Sequence, residues 1–106
     1  MANTYVNAKL DLTATSVTTL YTAVGLTTGI VKSILVSEDS GNADTITVTV
    51  TNGSSVFSLF KTKAIGANAT VELLTAPLVL QPTEILKVTA ATANRLHVVA
   101  SILEIT

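Results

Sequence analysis

The segment Thr45-Ile46-Thr47-Val48-Thr49-Val50-Thr51 alternates hydroxyl and apolar side chains without interruption. Successive side chains of a strand point to opposite faces, so Ile46, Val48 and Val50 share one face and the four threonines share the other. All seven residues are β-branched, which favours a pleated strand over a helix. The segment therefore predicts a β-strand with one face turned toward the core of the protein.

The dipeptide Asn52-Gly53 follows this strand and predicts a hairpin, because both residues tolerate the positive φ angles of a type I′ turn. The partner strand is predicted over residues 55–61. Neither of its alternating faces is purely polar, so we expect both faces to be covered. Phe57 and Phe60 fall on opposite faces of a regular strand, which predicts that at least one of them lies in the core.

Further segments have the composition of strands and are separated by turn signals about every 8–12 residues. They are residues 5–12, 17–23, 29–36, 70–74, 78–80, 84–90 and 95–105. Residues 13–24 are the one stretch where a helix is conceivable, but the β-branched Val17, Thr18 and Thr19 oppose it. The sequence predicts an all-β fold, a single antiparallel β-sandwich or jelly roll of about eight short strands, with residues 1–106 forming one domain.

The composition of the chain is unusual, because charged residues make up 12% of it, against about 25% in an ordinary soluble domain. Hydrophobic residues make up 48%, the mean hydropathy is +0.59, and threonine occurs nineteen times. Two interpretations follow: a surface coated by uncharged polar side chains, and a surface partly covered by neighbouring subunits. We expect both to hold.

The six basic residues are scattered along the chain, and the formal net charge is -1. Nucleic acid and anionic membranes are recognised by clustered positive charge, so neither partner is expected. No apolar run approaches the length of a membrane span, about 20 residues, and the first residues lack the basic and apolar regions of a secretory signal. Since the chain has no cysteine, no disulfide framework is available. These features predict a protein made in the cytoplasm.

Residues that carry out chemistry are scarce in this sequence. His97 is the only histidine, and a partly exposed position in the last predicted strand is a simpler interpretation of it than a general base or metal ligand. Without cysteine or a second histidine, the usual zinc sites are out of reach. No G-x-S-x-G turn supports a serine nucleophile. We therefore predict no enzymatic activity, no catalytic, cofactor-binding or metal-binding residues, and no cofactor.

The polar loop of residues 38–44 gathers Glu38, Asp39 and Asp44, which offer the oxygen ligands that Ca²⁺ prefers. Its spacing does not match an EF-hand loop, and its Ser, Gly and Asn residues equally suit a solvated turn. Calcium binding by this loop stays open on the sequence alone. The remaining carboxylates lie in separate segments, which does not indicate the paired acids of a glycosidase: Asp11, Glu72, Glu84 and Glu104.

Aromatic residues that could stack against a ligand are also scarce, since the chain has two tyrosines, two phenylalanines and no tryptophan. Modules that bind sugars or single-stranded nucleic acid stack their ligands on exposed aromatic rings. This composition disfavours such a module without excluding it. The glycosylation sequon Asn68-Ala69-Thr70 is interpreted as a turn.

From Ile30 onward, the order of segments resembles small virion structural proteins of tailed bacteriophages. The resemblance lies in the strand Ile30-Val31-Lys32-Ser33-Ile34-Leu35-Val36, a polar turn, the threonine–valine strand, the segment 78–90 and the closing strand 96–105. One departure is Pro82-Thr83-Glu84, where the family pattern has a Gly-Asp turn. The pattern consists of strands and turns, so no functional residue carries over from it.

The resemblance implies a non-catalytic particle component, above all a capsid decoration or cement subunit that assembles in many copies. Alternatives are a neck, tail or baseplate component, or a β-sandwich module that binds a receptor or glycan. The implied partners are the major capsid protein or tail and neck proteins, with no nucleic acid or membrane. A homo-oligomer is expected, with a trimer as one option. The implied location is the virion, after synthesis in the cytoplasm of the bacterial host.

The edges of the predicted sheets give a further hypothesis. Free monomers protect sheet edges with Lys, Pro or bulges. Lys61 and Lys63 protect one predicted strand, whereas the strand at 5–12 and the closing strand have little protection. We therefore expect at least one edge to pair with another chain or to be covered in an assembly.

Overall fold

A computed structural model describes residues 2–106 of the chain, and Met1 lies outside them. Within these residues the chain forms nine β-strands, and every strand pair is antiparallel. The strands are β1 (Asn3–Asp11), β2 (Thr18–Thr22), β3 (Thr28–Glu38), β4 (Asp44–Asn52), β5 (Ser55–Ile65), β6 (Thr70–Glu72), β7 (Leu78–Leu80), β8 (Ile85–Ala90) and β9 (Leu96–Ile105). The predicted all-β class is confirmed, and the candidate helix at 13–24 is a loop followed by β2.

The strands form two sheets packed face to face. Sheet A has the order β1-β9-β3-β6, with β7 pairing on β3 beside β6, and sheet B has the order β2-β8-β4-β5. If β6 and β7 are counted as one interrupted strand, β1 pairs with β9, β2 with β8, β3 with β6/β7, and β4 with β5. These are the pairs of a chain folded double and then wrapped into two sheets, which is the topology of a jelly roll.

The core lies between the two sheets and is made by alternate residues of the central strands. In β4, Ile46 and Val48 are fully buried and Val50 nearly so, while the intervening Thr45, Thr47 and Thr49 face outward. This confirms the prediction for these six residues, whereas the fourth threonine, Thr51, is buried as well. The same alternation supplies the rest of the core, whose largest fully buried side chains include Leu12, Ile34, Ile65, Leu80, Leu86, Leu96 and Ile102.

The hairpin between β4 and β5 is confirmed, but its turn lies one residue later than predicted. Asn52 pairs with Ser55 as part of the ladder, so the two turn residues are Gly53 and Ser54. Gly53 has φ of 62°, and Asn52 has no positive φ. Glycine at the first central position is the requirement of a type II′ turn, so the glycine rather than the Asn-Gly pair sets this turn.

The prediction that β5 is covered on both faces is wrong, because β5 is the exposed edge strand of sheet B. Its pairing with β4 shifts register twice. The shifts place both Phe57 and Phe60 opposite residues of the inner face, Val50 and Val48. Phe60 packs against the core, as expected for one of the pair, whereas Phe57 stays exposed. A strand with register shifts does not obey strict alternation, which is why sequence periodicity failed here.

The closing strand is not an edge, contrary to the expectation from its lack of protective residues. β9 lies between β1 and β3 and pairs with both along nearly its whole length. The described strands that end a sheet are β1 and the short β6 and β7 in sheet A, and β2 and β5 in sheet B. The unprotected segment 5–12 does lie at an edge, as β1.

One end of the sandwich is closed by a contact between the two sheets. The Tyr21 hydroxyl of β2 donates to Glu104 Oε2 of β9 at 2.6 Å. Its ring lies over Gly29, where a Cβ atom would come within 2.9 Å of Tyr21 Cε2, so glycine is required for this approach. Burial, together with the hydrogen bond and charge of Glu104, raises the pKa of the Tyr21 phenol.

Within residues 2–106, no helix is long and apolar enough to cross a membrane.

Candidate interaction surface

The outer face of sheet A is built from the side chains that alternate with the core residues. Strand register sets them in rows that cross the sheet, with side chains in neighbouring strands about 5 Å apart. One row contains Tyr5 of β1, Leu103 of β9, Ile30 of β3 and Val79 of β7. We call it the apolar row. Tyr5 is 75% exposed and Val79 is 55% exposed, while Ile30 and Leu103 between them are half-buried. Four apolar side chains therefore cross the whole width of the sheet on its solvent side.

A second row, four residues further along β1, mixes apolar and charged side chains. Lys9 lies opposite Val99, Val99 opposite Leu35, and Leu35 opposite Glu72. Val99 and Leu35 are both exposed. Between the two rows lie Asn7, Ser101 and Ser33, which are small or polar, and the exposed Lys32 at the register shift of β3. The sheet A face therefore has two rows rich in apolar side chains, with Lys32 between them and a charge at each side of the second row.

Glu72 fixes the connection between β6 and β7 on this face. Its carboxylate accepts hydrogen bonds from the Ser33 hydroxyl, from the Ile34 amide at 2.8 Å and from the Leu74 amide at 3.2 Å. Burial acts to raise the pKa of the Glu72 carboxyl, but these hydrogen bonds outweigh it and lower that pKa. An ionised Glu72 thus holds the interrupted edge strand against β3.

His97 lies at the other end of the sheet A face, between two carboxylates. Its Nε2 atom is 3.2 Å from Asp11 Oδ1 of β1, and its Nδ1 atom is 3.3 Å from Asp39 Oδ2 of the loop after β3. The His97 side chain is 41% exposed, as expected for a partly exposed strand residue. Both ring nitrogens face a carboxylate, so this geometry orients the ring and links the loop after β3 to β9.

The acidic loop of residues 38–44 does not gather its carboxylates around one point. Glu38 turns inward and is 2% exposed, while Asp39 points to His97. Asp44 turns inward at the start of β4 and accepts from the Thr92 amide at 3.1 Å. Among residues 2–106, no three His, Cys, Asp or Glu side chains come close enough to hold a metal ion together.

Glu38 is the organising residue of this loop. Its two carboxylate oxygens accept from the Ser40 amide at 2.8 Å, the Gly41 amide at 3.0 Å, the Asn68 amide at 3.0 Å and the Ser40 hydroxyl. Burial acts to raise the pKa of the Glu38 carboxyl, but these hydrogen bonds prevail and lower it to about 2. A single carboxylate therefore joins the 38–44 loop to the turn at Asn68, where φ is 57° and the sequon forms a turn as predicted.

The two remaining acids close turns or sheet ends. Glu84 accepts from the Gln81 amide at 2.7 Å across the Pro82-Thr83 turn, and Glu104 receives the Tyr21 hydroxyl. The carboxylates with partners among the described residues therefore hold turns, loops or sheet ends in place.

The outer face of sheet B has a different chemistry. It presents Thr45, Thr47 and Thr49 of β4 beside Lys87 and Thr89 of β8. We call it the threonine face. The Thr47 hydroxyl accepts from the Thr62 amide at 3.0 Å, at a point of β5 where φ is 49°. Hydroxyl side chains thus predominate over β4 and β8, in agreement with the first interpretation of the composition, whereas the edge strand β5 exposes Val56, Phe57 and Leu59.

A shallow groove runs along the side of the sandwich, between β5 and the connection from β6 to β7. Its volume is about 440 Å³, and Leu59, Phe60, Leu74, Pro77 and Leu78 supply most of its apolar lining. The groove continues the apolar surface from the edge of sheet A to the edge of sheet B.

Sequence reasoning missed the apolar row, because its members come from four separate strands. The signal was present in part for Tyr5, which alternates with the apolar Val6, Ala8 and Leu10 of the predicted strand at 5–12, whereas Val79 lies between two leucines and gives no such signal. Which outward residues become neighbours depends on register between strands far apart in sequence, and that is a property of the fold.

No protein-family model matches the chain, and no curated protein is similar enough to it to count as a relative. Among solved structures it is similar to a pentameric capsid protein isolated from metagenomic phage sequences, with a TM-score of 0.49 and 17% sequence identity. The likeness covers 93% of this chain and 59% of that protein, so the chain spans less than two thirds of its length.

Proposed function

We propose that the protein is a non-catalytic virion structural protein of a tailed bacteriophage, namely a capsid decoration or cement subunit that assembles in many copies. The observation that supports this best is the apolar row of Tyr5, Leu103, Ile30 and Val79, which crosses the solvent side of sheet A. Contiguous apolar side chains on a sheet surface are typical of sites where another protein binds. The apolar row is the contact with the particle in this proposal.

The charge pattern of the sheet A face supports a protein partner. The centres of protein interfaces are depleted in charge, and charges lie at their rims. On this face the apolar residues Val99 and Leu35 lie between Lys9 on one side and Glu72 on the other. The low overall charge of the chain, 12%, fits a subunit surrounded by neighbours.

The fold by itself does not choose among functions, because jelly rolls occur in viral capsid proteins, in lectins and in cupins. The order of strand sequences from Ile30 onward, which resembles small phage virion proteins, favours the first of these. In this proposal the partner is the major capsid protein, and the protein reaches the virion after synthesis in the host cytoplasm. A neck or tail position is the second candidate.

The proposal is tested first on purified particles of the phage that encodes the chain. Quantitative mass spectrometry is expected to find the 11.0 kDa chain in a fixed ratio of many copies per particle. Density for its jelly roll in electron micrographs then gives its position. Density at the neck or tail alone would replace the decoration role with the second candidate. Abundance in infected cells without incorporation into particles would refute a virion role.

The contact surface is tested by adding purified protein to particles that lack it. Val79→Lys and Leu35→Lys are expected to weaken binding about tenfold or more, because each buries an ammonium group in an apolar contact. Val17→Lys is the matched control, since Val17 is 63% exposed but lies outside the sheet A face. If Val79→Lys and Leu35→Lys bind like the wild type, the sheet A face is not the contact surface.

A further inference from the structure

The outer edge of β1 is unpaired and carries a regular row of backbone hydrogen-bonding groups. Ala2 and Thr106 exchange two backbone hydrogen bonds, of 3.3 and 3.0 Å. Since hydrogen-bonded pairs alternate along an antiparallel ladder, the even-numbered residues of β1 bond to β9. The odd-numbered residues therefore direct their amide and carbonyl groups away from the protein. They are Asn3, Tyr5, Asn7, Lys9 and Asp11, and of these the Asp11 carbonyl already accepts from the Thr13 amide.

The other edges of the described fold are protected against pairing. β5 has two register shifts, a left-handed φ at Thr62, and Lys63 placed opposite the inward residue Ile46. β2 is five residues long with a register shift, and β6 and β7 are three residues each. Short length, bulges and inward charges are the usual defences of an edge. β1 has nine residues, no shift and no proline, and its one lysine, Lys9, lies on the outer face and does not point inward.

We propose that β1 pairs antiparallel with β1 of a second copy of the chain, around a twofold axis at Asn7. Asn7 is the central residue of Asn3–Asp11, so this register pairs the whole strand. It brings the odd-numbered residues of the two copies opposite one another. Because the Asp11 carbonyl of each copy is already bonded, the pairing forms about eight backbone hydrogen bonds. A shift of the axis by one residue in either direction leaves two residues of each strand unpaired.

The side chains on the outer face agree with this register. Tyr5 of each copy lies opposite Lys9 of the other, where an ammonium group can contact the ring. Asn3 of each copy lies opposite Asp11 of the other, so an amide meets a carboxylate. No two like charges are directly opposite, as an isologous interface requires of a stable register. The pairing also joins the two sheet A faces into one surface.

This inference stands on the edge of β1 alone and does not depend on the proposed virion function. The purified chain is expected to be in a concentration-dependent equilibrium between its 11.0 kDa monomer and a dimer in sedimentation equilibrium. A monomer at all concentrations would overturn the proposal. A trimer or larger ring that persists when β1 is altered would overturn it as well.

Register is tested by charge. Tyr5→Lys places like charges opposite each other twice in the dimer, and we expect it to raise the dimer dissociation constant about tenfold or more. The double variant Tyr5→Lys/Lys9→Glu restores opposite charges and is expected to recover the dimer. Phe57→Lys is the matched control, because Phe57 is an aromatic residue of similar exposure on the protected edge β5. Equal loss in both single variants, or no recovery in the double variant, would contradict the register.

The axis is tested by cross-linking, which the absence of cysteine from the chain makes simple. Hydrogen-bonded antiparallel pairs have Cα atoms about 5.5 Å apart, within the range of a disulfide. Asn7→Cys is therefore expected to give a covalent dimer on mild oxidation, and Ser58→Cys on β5 is expected to stay monomeric. A monomeric Asn7→Cys variant with unchanged circular dichroism would overturn the twofold axis at this residue.

Discussion

The two sheets of this protein have equivalent inner faces and different outer faces. Inside, both present β-branched and leucine side chains to one shared core. Outside, sheet B shows Thr45, Thr47 and Thr49, whereas sheet A shows the apolar row and the ionised Glu72. The fold of a monomer does not require the apolar row, since threonines at these four positions would leave the core unchanged. The difference teaches that a shared core fixes the inner faces and leaves the outer faces free to differ. In the proposed function, the outer face of sheet A is the contact surface.

The same contrast holds for the edges of the sheets. β5 ends sheet B with register shifts and Lys63, while β1 ends sheet A as an uninterrupted strand. Sheet A therefore combines the apolar row with an open edge, and sheet B combines the threonine face with a protected edge. Both surfaces that we propose for contacts with neighbours lie on sheet A.

The largest expected effect comes from breaking the shared core, and it should be equal in the two sheets. Ile34→Ala in sheet A and Leu86→Ala in sheet B each delete a fully buried side chain. We expect each to lower the free energy of unfolding by about 2–5 kcal/mol, from lost burial and the cavity left behind. Urea unfolding followed by circular dichroism measures both. A loss below about 1 kcal/mol in only one sheet would show that the two inner faces are not equivalent.

Acid should weaken sheet A through its ionised carboxylates. The pKa of Glu38 falls from its ordinary 4.5 to about 2 in the folded protein, and the pKa of Glu72 is also lowered. A depressed folded-state pKa contributes stability that is complete above the unfolded value and is lost as the pH falls through the folded value. We therefore expect stability to decline between about pH 4.5 and pH 2, as measured by thermal unfolding at a series of pH values.

The Glu38→Gln variant is the control for the acid effect. An amide cannot be protonated in this range, so the variant should be less stable than the wild type near neutral pH and should show a flatter decline in acid. Amide exchange adds a local measurement, since protection of Ser40, Gly41 and Asn68 should fall first. An unchanged slope in Glu38→Gln would mean that another group causes the acid loss.

The smallest expected effects concern two threonines of β4, Thr51 and Thr49. The Thr51 hydroxyl is buried and has no hydrogen-bond partner among the described residues. Thr51→Val removes this unpaired group at nearly constant shape, and we expect it to raise the free energy of unfolding by about 1 kcal/mol. Thr49→Val, half-buried on the same face, should change it by less than about 0.5 kcal/mol. Urea unfolding measures both variants. Equal changes in the free energy of unfolding would contradict the cost that we attribute to the unpaired Thr51 hydroxyl.

Local patterns in the sequence identified most strands correctly. The alternation at 45–51 became β4 with the predicted inward residues, and the segments at 29–36 and 95–105 became the central strands β3 and β9. Predictions failed where local periodicity is interrupted. β5 contains bulges that no pattern of apolar residues reveals, and the hairpin turn moved to Gly53-Ser54 because the ladder continues through Asn52.

The surface that we propose for contacts with neighbouring proteins was predictable only in outline. Low charge and abundant threonine predicted a protein whose surface is partly polar and partly covered, but they did not say which side was which. The partners of Glu38, Glu72 and His97 were not predictable either, since Asn68, Ile34 and Asp11 approach them through pairings of distant strands. Hydrogen bonds of this kind require backbone amides whose positions are set by the turns of other segments.

The sequence by itself determined the strands and their inward faces, because side-chain alternation and β-branching act within a few residues. It also determined the scarcity of charge and of residues that do chemistry. Only the tertiary structure decided the jelly-roll order, the open edge at β1, and the union of Tyr5, Leu103, Ile30 and Val79 into one surface. Those features depend on which strands become neighbours and in which register, and that choice is made by the packing of the whole core.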